Sequence, residues 1–213
     1  MTHEFDAEAY ILDHFDEIQE EALEKIKTLK YYAGPGWGGG DNSESPSYLM
    51  ENEGYKHYWV KGWNNDPDWV SHAIMFNGGW DTTGTIDLKK VGWEQPDMKI
   101  TKILNEVMKK TGWSIVLVGY ALLKAGGSIP FHRDEKVGEG WNNVWHLGLL
   151  SPPDDCFFMV EDAVHKIEEG KIIKFDDAKF HSAVNNSEFD RVNLYLKFSK
   201  DGRAAASEST ESS

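Results

Sequence analysis

Residues 191–198 read "RVNLYLKF". Successive side chains of a strand point to opposite faces, so Val192, Leu194, Leu196 and Phe198 share one face and Arg191, Asn193, Tyr195 and Lys197 the other. In a barrel wall such a strand turns its polar face to a pocket or to water. Working back to residue 114, the chain is a series of similar short stretches: "SIVLVGYALLKA", "SIPFHRD", "NNVWHLGLL", "CFFMVED", "AVHKIEE", "KIIKFD" and "KFHSAVN", broken by GG, SPPDD, EEGK, DDA and NNSEFD. About eight strands with turns this regular indicate a mainly β architecture, a barrel or two-sheet jelly roll.

The first 113 residues have a different texture. "AEAYILDHFDEIQEEALEKIKTLKY", residues 7–31, spaces Ile11, Phe15, Ile18, Leu23, Ile26 and Leu29 at helical intervals among charges. The spacing predicts one amphipathic helix flanking the sheet, with Asp6 as its N-cap. Residues 33–47, "AGPGWGGGDNSESPS", read as a long loop. "GYKHYWVKGW" and "WVSHAIMF" read as strands, with "NNDP" and "NGGWDTTG" as turns, and a second helix is expected from Pro96 to Lys110, closed by Thr111-Gly112. The expected organisation is one domain over residues 1–200, with 1–113 flanking a core of strands at 114–198, and a disordered polar tail over 201–213.

Composition narrows the function classes. The 213 residues are 40% hydrophobic and 13% aromatic with nine Trp, enough for a packed interior. A formal charge of −14, from 36 acidic against 22 basic residues, repels phosphate backbones and anionic membrane surfaces, so neither nucleic acid nor membrane is an expected partner. The single cysteine, Cys156, excludes an internal disulfide framework and a Cys-rich zinc site, and its setting in "DDCFFMV" favours burial. The opening "MTHEFDAEAY" has no basic stretch followed by an apolar one, and the run "IVLVGYALL" is too short to cross a bilayer. A cytoplasmic protein is expected.

Of the eight histidines, His3, His14, His57 and His72 are expected to be surface or satisfied core residues, and His165 to be exposed near a turn. His132, Asp134, His146 and His181 all fall among the strands. His132 and Asp134, two apart on an extended segment, project from one side and could reach one ion, and a jelly roll can fold the strand carrying His181 back beside them. Two imidazoles and one carboxylate on one face of an octahedral ion form the ligand set of non-heme Fe(II) oxygenases. The spacing alone is a weak signal, common by chance. Arg191, ten residues after His181, adds weight because a guanidinium one strand from a metal suits the far carboxylate of a dicarboxylate. The competing reading is a solvent-facing arginine paired with Asp190 or Glu188.

"SIPFHRD", "WHLGLLSPPDDCFFMV" and "EEGKIIKFDDAKFHSAVNNSEFDRVNLYL" together resemble the aspartyl/asparaginyl β-hydroxylase family of 2-oxoglutarate oxygenases, which also contains bacterial free-proline cis-hydroxylases. The likeness covers about residues 114–198. It implies a double-stranded β-helix (cupin-like jelly roll), Fe(II) at His132, Asp134 and His181, dioxygen as oxidant, and 2-oxoglutarate held at its distal carboxylate by Arg191 with His146 close by. Vertebrate β-hydroxylase members carry glycine at the position of Asp134, so its presence places the chain nearer the full-triad branch and argues against halogenation. The family also tends to have arginine where this chain has Val144, which leaves open how the metal-proximal end of 2-oxoglutarate is held.

The expected activity is hydroxylation of an unactivated C–H bond of an amino acid, or of an Asp/Asn residue in a peptide, with release of succinate and CO2. Two other classes stay open: a cupin-like metal enzyme that is not an oxygenase, and a non-catalytic sensor that binds metal or 2-oxoglutarate. Asp176, Asp177, Asn185 and Asn186 read mainly as turn residues. Trp141, in the loop "EKVGEGWNN", is a candidate lid residue.

Overall fold

The computed structural model describes residues 5–32, 57–62, 66–76, 79–80, 86–87, 93–134, 143–152 and 155–199. The loop at 33–47, Trp141, His3 and the tail beyond 200 lie outside them. Helices α1 (Ala7–Asp13) and α2 (Phe15–Thr28) lead into β1 (Lys30–Tyr31), β2 (Tyr58–Lys61), β3 (Trp69–Phe76), β4 (Gly79–Trp80), β5 (Ile86–Asp87) and β6 (Trp93–Glu94). Helix α3 (Lys99–Thr111) precedes eight strands: β7 (Ser114–Leu123), β8 (Ser128–His132), β9 (Asn143–Leu150), β10 (Cys156–Val160), β11 (Ala163–Lys166), β12 (Ile172–Asp176), β13 (His181–Asn185) and β14 (Arg191–Ser199). Each of the eight stretches expected from residue 114 onward forms a strand. Of the turn expected at "NGGWDTTG", Gly79 and Trp80 are described and form β4, which pairs with β5; the rest of it lies outside the described residues.

Apart from the β4–β5 pair, the strands build two facing sheets. The larger runs β1-β2-β3-β7-β14-β9-β12, with β6 on β3, and the smaller runs β11-β10-β13-β8. From β7 onward the chain crosses between the sheets, and β14 returns to lie between β7 and β9. This is the jelly roll.

Two apolar cores follow from the alternation along the strands. On the outer face of the large sheet Val192, Leu194, Leu196 and Phe198 join Tyr120, Leu122, Trp145 and Leu147 and pack against Ile11, Ile18, Ile100, Leu104 and Val107 of the helices. Between the sheets Leu123, Val144 and Phe175 meet Cys156, Phe158, Val160 and Ala183 of the small sheet. Gly148 on β9 is required by a close approach: a Cβ there would lie 2.3 Å from the carbonyl oxygen of Glu168. Gly148 donates to Lys171 O at 3.1 Å and accepts from Gly170 N at 3.0 Å, which ties the turn before β12 to the sheet.

The helices depart from the expected boundaries for local reasons. The single helix expected over 7–31 is broken at His14, whose φ of −104° and ψ of 16° leave the helical region. The His14 N–H bonds Ile11 O at 3.2 Å instead of continuing the ladder, and its ring Nδ1 takes up Tyr10 O at 2.8 Å. Helix α3 starts at Lys99 rather than Pro96 because its cap comes from another helix. Glu21 of α2 accepts from the N–H groups of Lys99 (2.7 Å) and Ile100 (3.1 Å), and the Tyr120 hydroxyl donates to the same carboxylate at 3.4 Å. Gly112, at φ +71°, ends α3 in the left-handed conformation as expected.

His72 is fully buried on the outer face of β3, bonded to Tyr58 O at 3.1 Å and to the Gln95 amide at 2.9 Å. His165 is half-buried on β11 rather than exposed, and His57 is exposed. Burial pushes the His72 imidazole down to about 4. The unfolded imidazole titrates near 6.5, so the unfolded chain binds more protons between these values, and the contribution of neutral His72 to stability is lost as pH falls through that window. An NMR titration of the ring protons is expected to give a midpoint near 4 for His72. Replacing Glu21 with Ala removes the cap of α3 and is expected to lower stability by about 2 kcal/mol in urea unfolding.

Candidate functional site

The edge of the small sheet brings two histidines together. His132 ends β8 and His181 begins β13; they are direct partners in the antiparallel register, with ring centroids 4.3 Å apart. Each ring donates its Nδ1–H to the carbonyl two residues earlier, His132 to Pro130 at 2.7 Å and His181 to Lys179 at 2.9 Å. That leaves the Nε2 lone pair of both rings free, the tautomer a metal needs. His181 is buried, and burial lowers its pKa, which keeps the ring neutral.

Asp134 follows two residues past the end of β8. Its N–H donates to Asp177 O at 2.9 Å, which pins the segment to the turn between β12 and β13. Ligand atoms of His132, Asp134 and His181 all lie within 4.8 Å of one another, so the three can hold one ion. Among the described residues they are the grouping of this kind. His14, His57, His72 and His165 lie elsewhere.

The polar face of β14 looks into the space between the sheets, not to solvent. Arg191 is 1% exposed, its guanidinium carbon 5.2 Å from the Phe158 ring centroid, and its Nε and Nη1 have no hydrogen-bond partner among the described residues. Burial pulls its pKa down to about 10, which still leaves it protonated at neutral pH. The alternative pairing with Asp190 is not formed: Asp190 Oδ1 accepts from Ala125 N at 3.0 Å. An unpaired buried cation costs several kcal/mol, and none of the described residues supplies an anion to Arg191.

Between Arg191 and the histidine pair sit His146 and Asn193. The Asn193 amide donates to His146 Nδ1 at 3.0 Å, and Asn193 Oδ1 is buried with no partner among the described residues. The His146 ring lies 5.5 Å from Phe175 in a stacked geometry and 4.5 Å from Phe158. Burial, then the neighbouring Arg191 guanidinium and the nearby His181 ring, hold its pKa well below the ordinary histidine value. A neutral His146 therefore does not compete with Arg191 for an anion. Tyr195, next on the same face, stands over Gly119 of β7, where a Cβ would be 2.7 Å from the tyrosine hydroxyl. Burial raises the Tyr195 pKa, so the phenol stays protonated.

Two residues missed as site candidates sit at the metal end of this face. Lys197 is 7% exposed and pairs with the Asp177 carboxylate, itself 4% exposed, with Asp134 Oδ2 at 3.8 Å. Asp177 lies in a turn, as its sequence suggests, but its side chain points inward. Burial, partly offset by Lys197, raises its pKa to about 6. Lys197 shares the strand face of Arg191, and that alternation was the available signal. Asp176 acts as expected, its Oδ1 accepting from Ala178 N at 3.0 Å. Asn185 braces the turn before β14 through Leu123 O, Lys124 O and Phe189 O, and takes the Cys156 thiol as donor.

The profile described as Aspartyl/Asparaginyl beta-hydroxylase matches residues 49–201. An ornithine lipid ester-linked acyl 2-hydroxylase from Rhizobium tropici is 34% identical over 85 residues, 38% of this chain and 28% of that protein, so the likeness spans under a third of the relative. The crystal structure of a 2OG-Fe(II) oxygenase family oxidoreductase from Burkholderia pseudomallei aligns over 87% of this chain and 91% of that one, with 14% identity and a TM-score of 0.50, which shows a shared fold. A viral collagen prolyl hydroxylase from Paramecium Bursaria Chlorella virus-1, in its 2OG complex, aligns over 50% of this chain and 76% of that one, at 15% identity and a TM-score of 0.39.

Proposed function

We propose that this chain, which belongs to the aspartyl/asparaginyl β-hydroxylase family, is an Fe(II)- and 2-oxoglutarate-dependent dioxygenase that hydroxylates an unactivated C–H bond of an amino acid or of an Asp/Asn residue in a peptide. The observation that carries this reading is the buried Arg191 guanidinium, whose Nε and Nη1 have no partner among the described residues, set on the face that also leads to His132, Asp134 and His181. Two imidazoles and a carboxylate are a donor set suited to Fe(II) with positions left open. A desolvated guanidinium is suited to grip a carboxylate through paired hydrogen bonds.

In this reading His132, Asp134 and His181 hold the metal through Nε2, a carboxylate oxygen and Nε2. Arg191 fixes the distal carboxylate of 2-oxoglutarate, and His146 and Asn193 line the way between. When bound, metal and co-substrate supply dioxygen activation coupled to decarboxylation of 2-oxoglutarate to succinate and CO2. The chain's own work is positional. The Phe158 and Phe175 rings exclude water from the Arg191 side, which strengthens the charge pairing there, and neutral His146 adds no second positive charge.

The likeness to an acyl 2-hydroxylase supports a second substrate reading, an acyl lipid. Among the described residues no helix is long and apolar enough to cross a membrane. A cytoplasmic setting, which keeps iron reduced, is part of the proposal.

The experiment is succinate formation from 2-oxoglutarate by anaerobically prepared, Fe(II)-loaded protein against free amino acids, short Asp/Asn peptides and dispersed acyl lipids. Turnover that rises with one class names it. No succinate with iron bound moves the assignment to a non-oxygenase metal enzyme or a sensor. Replacing His181 with Ala is expected to abolish metal binding and turnover together. Arg191→Leu is expected to keep the metal and raise the 2-oxoglutarate requirement about 100-fold, the scale of losing a buried charge-assisted pair. An unchanged requirement would remove the co-substrate assignment.

A further inference from the structure

The weakest-held member of the candidate metal centre is its carboxylate. Asp134 lies beyond the end of β8, and its side chain is 50% exposed. A carboxylate in that setting samples several rotamers, and ordering it on metal binding carries an entropic cost. Three contacts limit that freedom, and all lead to one buried ion pair. Its backbone N–H is held by Asp177 O at 2.9 Å, its carboxyl group shares a hydrogen bond with the Asp177 side chain, and its Oδ2 faces the Lys197 ammonium at 3.8 Å.

Lys197 is itself fixed. It stands in β14 between Val144 of β9 and Leu117 of β7, and its ammonium is engaged by the Asp177 carboxylate. Val144, its cross-strand neighbour, carries no polar group, so this end of the shared face has its positive charge from β14. A buried Lys–Asp pair adds little net stability, because desolvation of two ions offsets their attraction. Its worth here is in orientation.

We propose that Lys197, anchored by Asp177, is a positioning residue that holds the Asp134 carboxylate toward His132 and His181 so that the three-ligand site is preformed. The inference rests on the metal centre of the proposed function. It adds that the grip on the ion depends on a residue that does not touch the ion.

The test is a double-mutant cycle on metal affinity, read by titrating apo-protein with Co(II), whose visible spectrum reports the ligand set. Lys197→Met is expected to weaken Co(II) binding about tenfold, the lower end of the range for residues that orient a metal ligand. Asp134→Ala is expected to weaken it further. Adding Lys197→Met to Asp134→Ala should then cost nothing more, because its effect passes through the missing carboxylate. Lys197→Arg should recover part of the affinity.

Wild-type affinity in Lys197→Met, or losses that add in the double variant, overturns the inference. Should Lys197→Met strand the Asp177 charge and fail to fold, the combined Lys197→Met/Asp177→Asn change removes both charges and runs through the same cycle with the same two outcomes. A wild-type chain that takes up no Co(II) overturns the metal centre, and this inference with it. Full Co(II) uptake unmoved by the Lys197 changes overturns the inference alone.

Discussion

A strand buried on both faces, with opposite chemistry on each, sets the terms for this molecule. Strand β14 is hydrogen-bonded along one edge to β7 and along the other to β9. Val192, Leu194, Leu196 and Phe198 hold the helices to the large sheet, while Arg191, Asn193 and Lys197 lie under the small one, all of them buried. A slip of one residue would exchange these faces, burying Arg191, Asn193, Tyr195 and Lys197 in the helix core and turning four apolar side chains toward the site. Pairing on both edges and packing on both faces make that slip expensive.

The inner face is costly in its own right. Each polar group there has lost water, so each requires a partner or marks where one belongs. Lys197 has Asp177, and His146 has Asn193. Arg191 and the Asn193 carbonyl have none among the described residues. Stability and binding are therefore in tension along a single strand. The apolar face stabilises the fold by hydrophobic burial, and the polar face offsets part of that gain by holding a charge out of water.

What the sequence disclosed follows the range of the forces involved. Strands were legible because a period of two is a local property, and the alternation of "RVNLYLKF" carried over to the structure face by face. The same reading applied to "NVWHLGLL" separates Val144, His146 and Gly148 from Trp145 and Leu147, so His146 could have been placed by pattern as well as by family likeness. The helix break at His14 was not legible, because an apolar stripe continues across it and the cause is a ring-to-carbonyl bond one turn back. The start of α3 was hidden because its cap, Glu21, belongs to another helix. Asp177 read as a turn residue since its partner lies on a distant strand, and no local signal joins the two.

The pairing of His132 with His181 also bears on the mechanics of the fold. Strand β8 is the outer strand of the small sheet, hydrogen-bonded on one side only, and its register with β13 is interrupted by a bulge just past this pair. An edge strand of that kind is where a sheet peels open first. An ion bound by both rings would act as a rivet between segments far apart in the chain. Opening the strand would then require breaking the coordination, and fraying at this edge and release of the ion would be one event, linked by mass action.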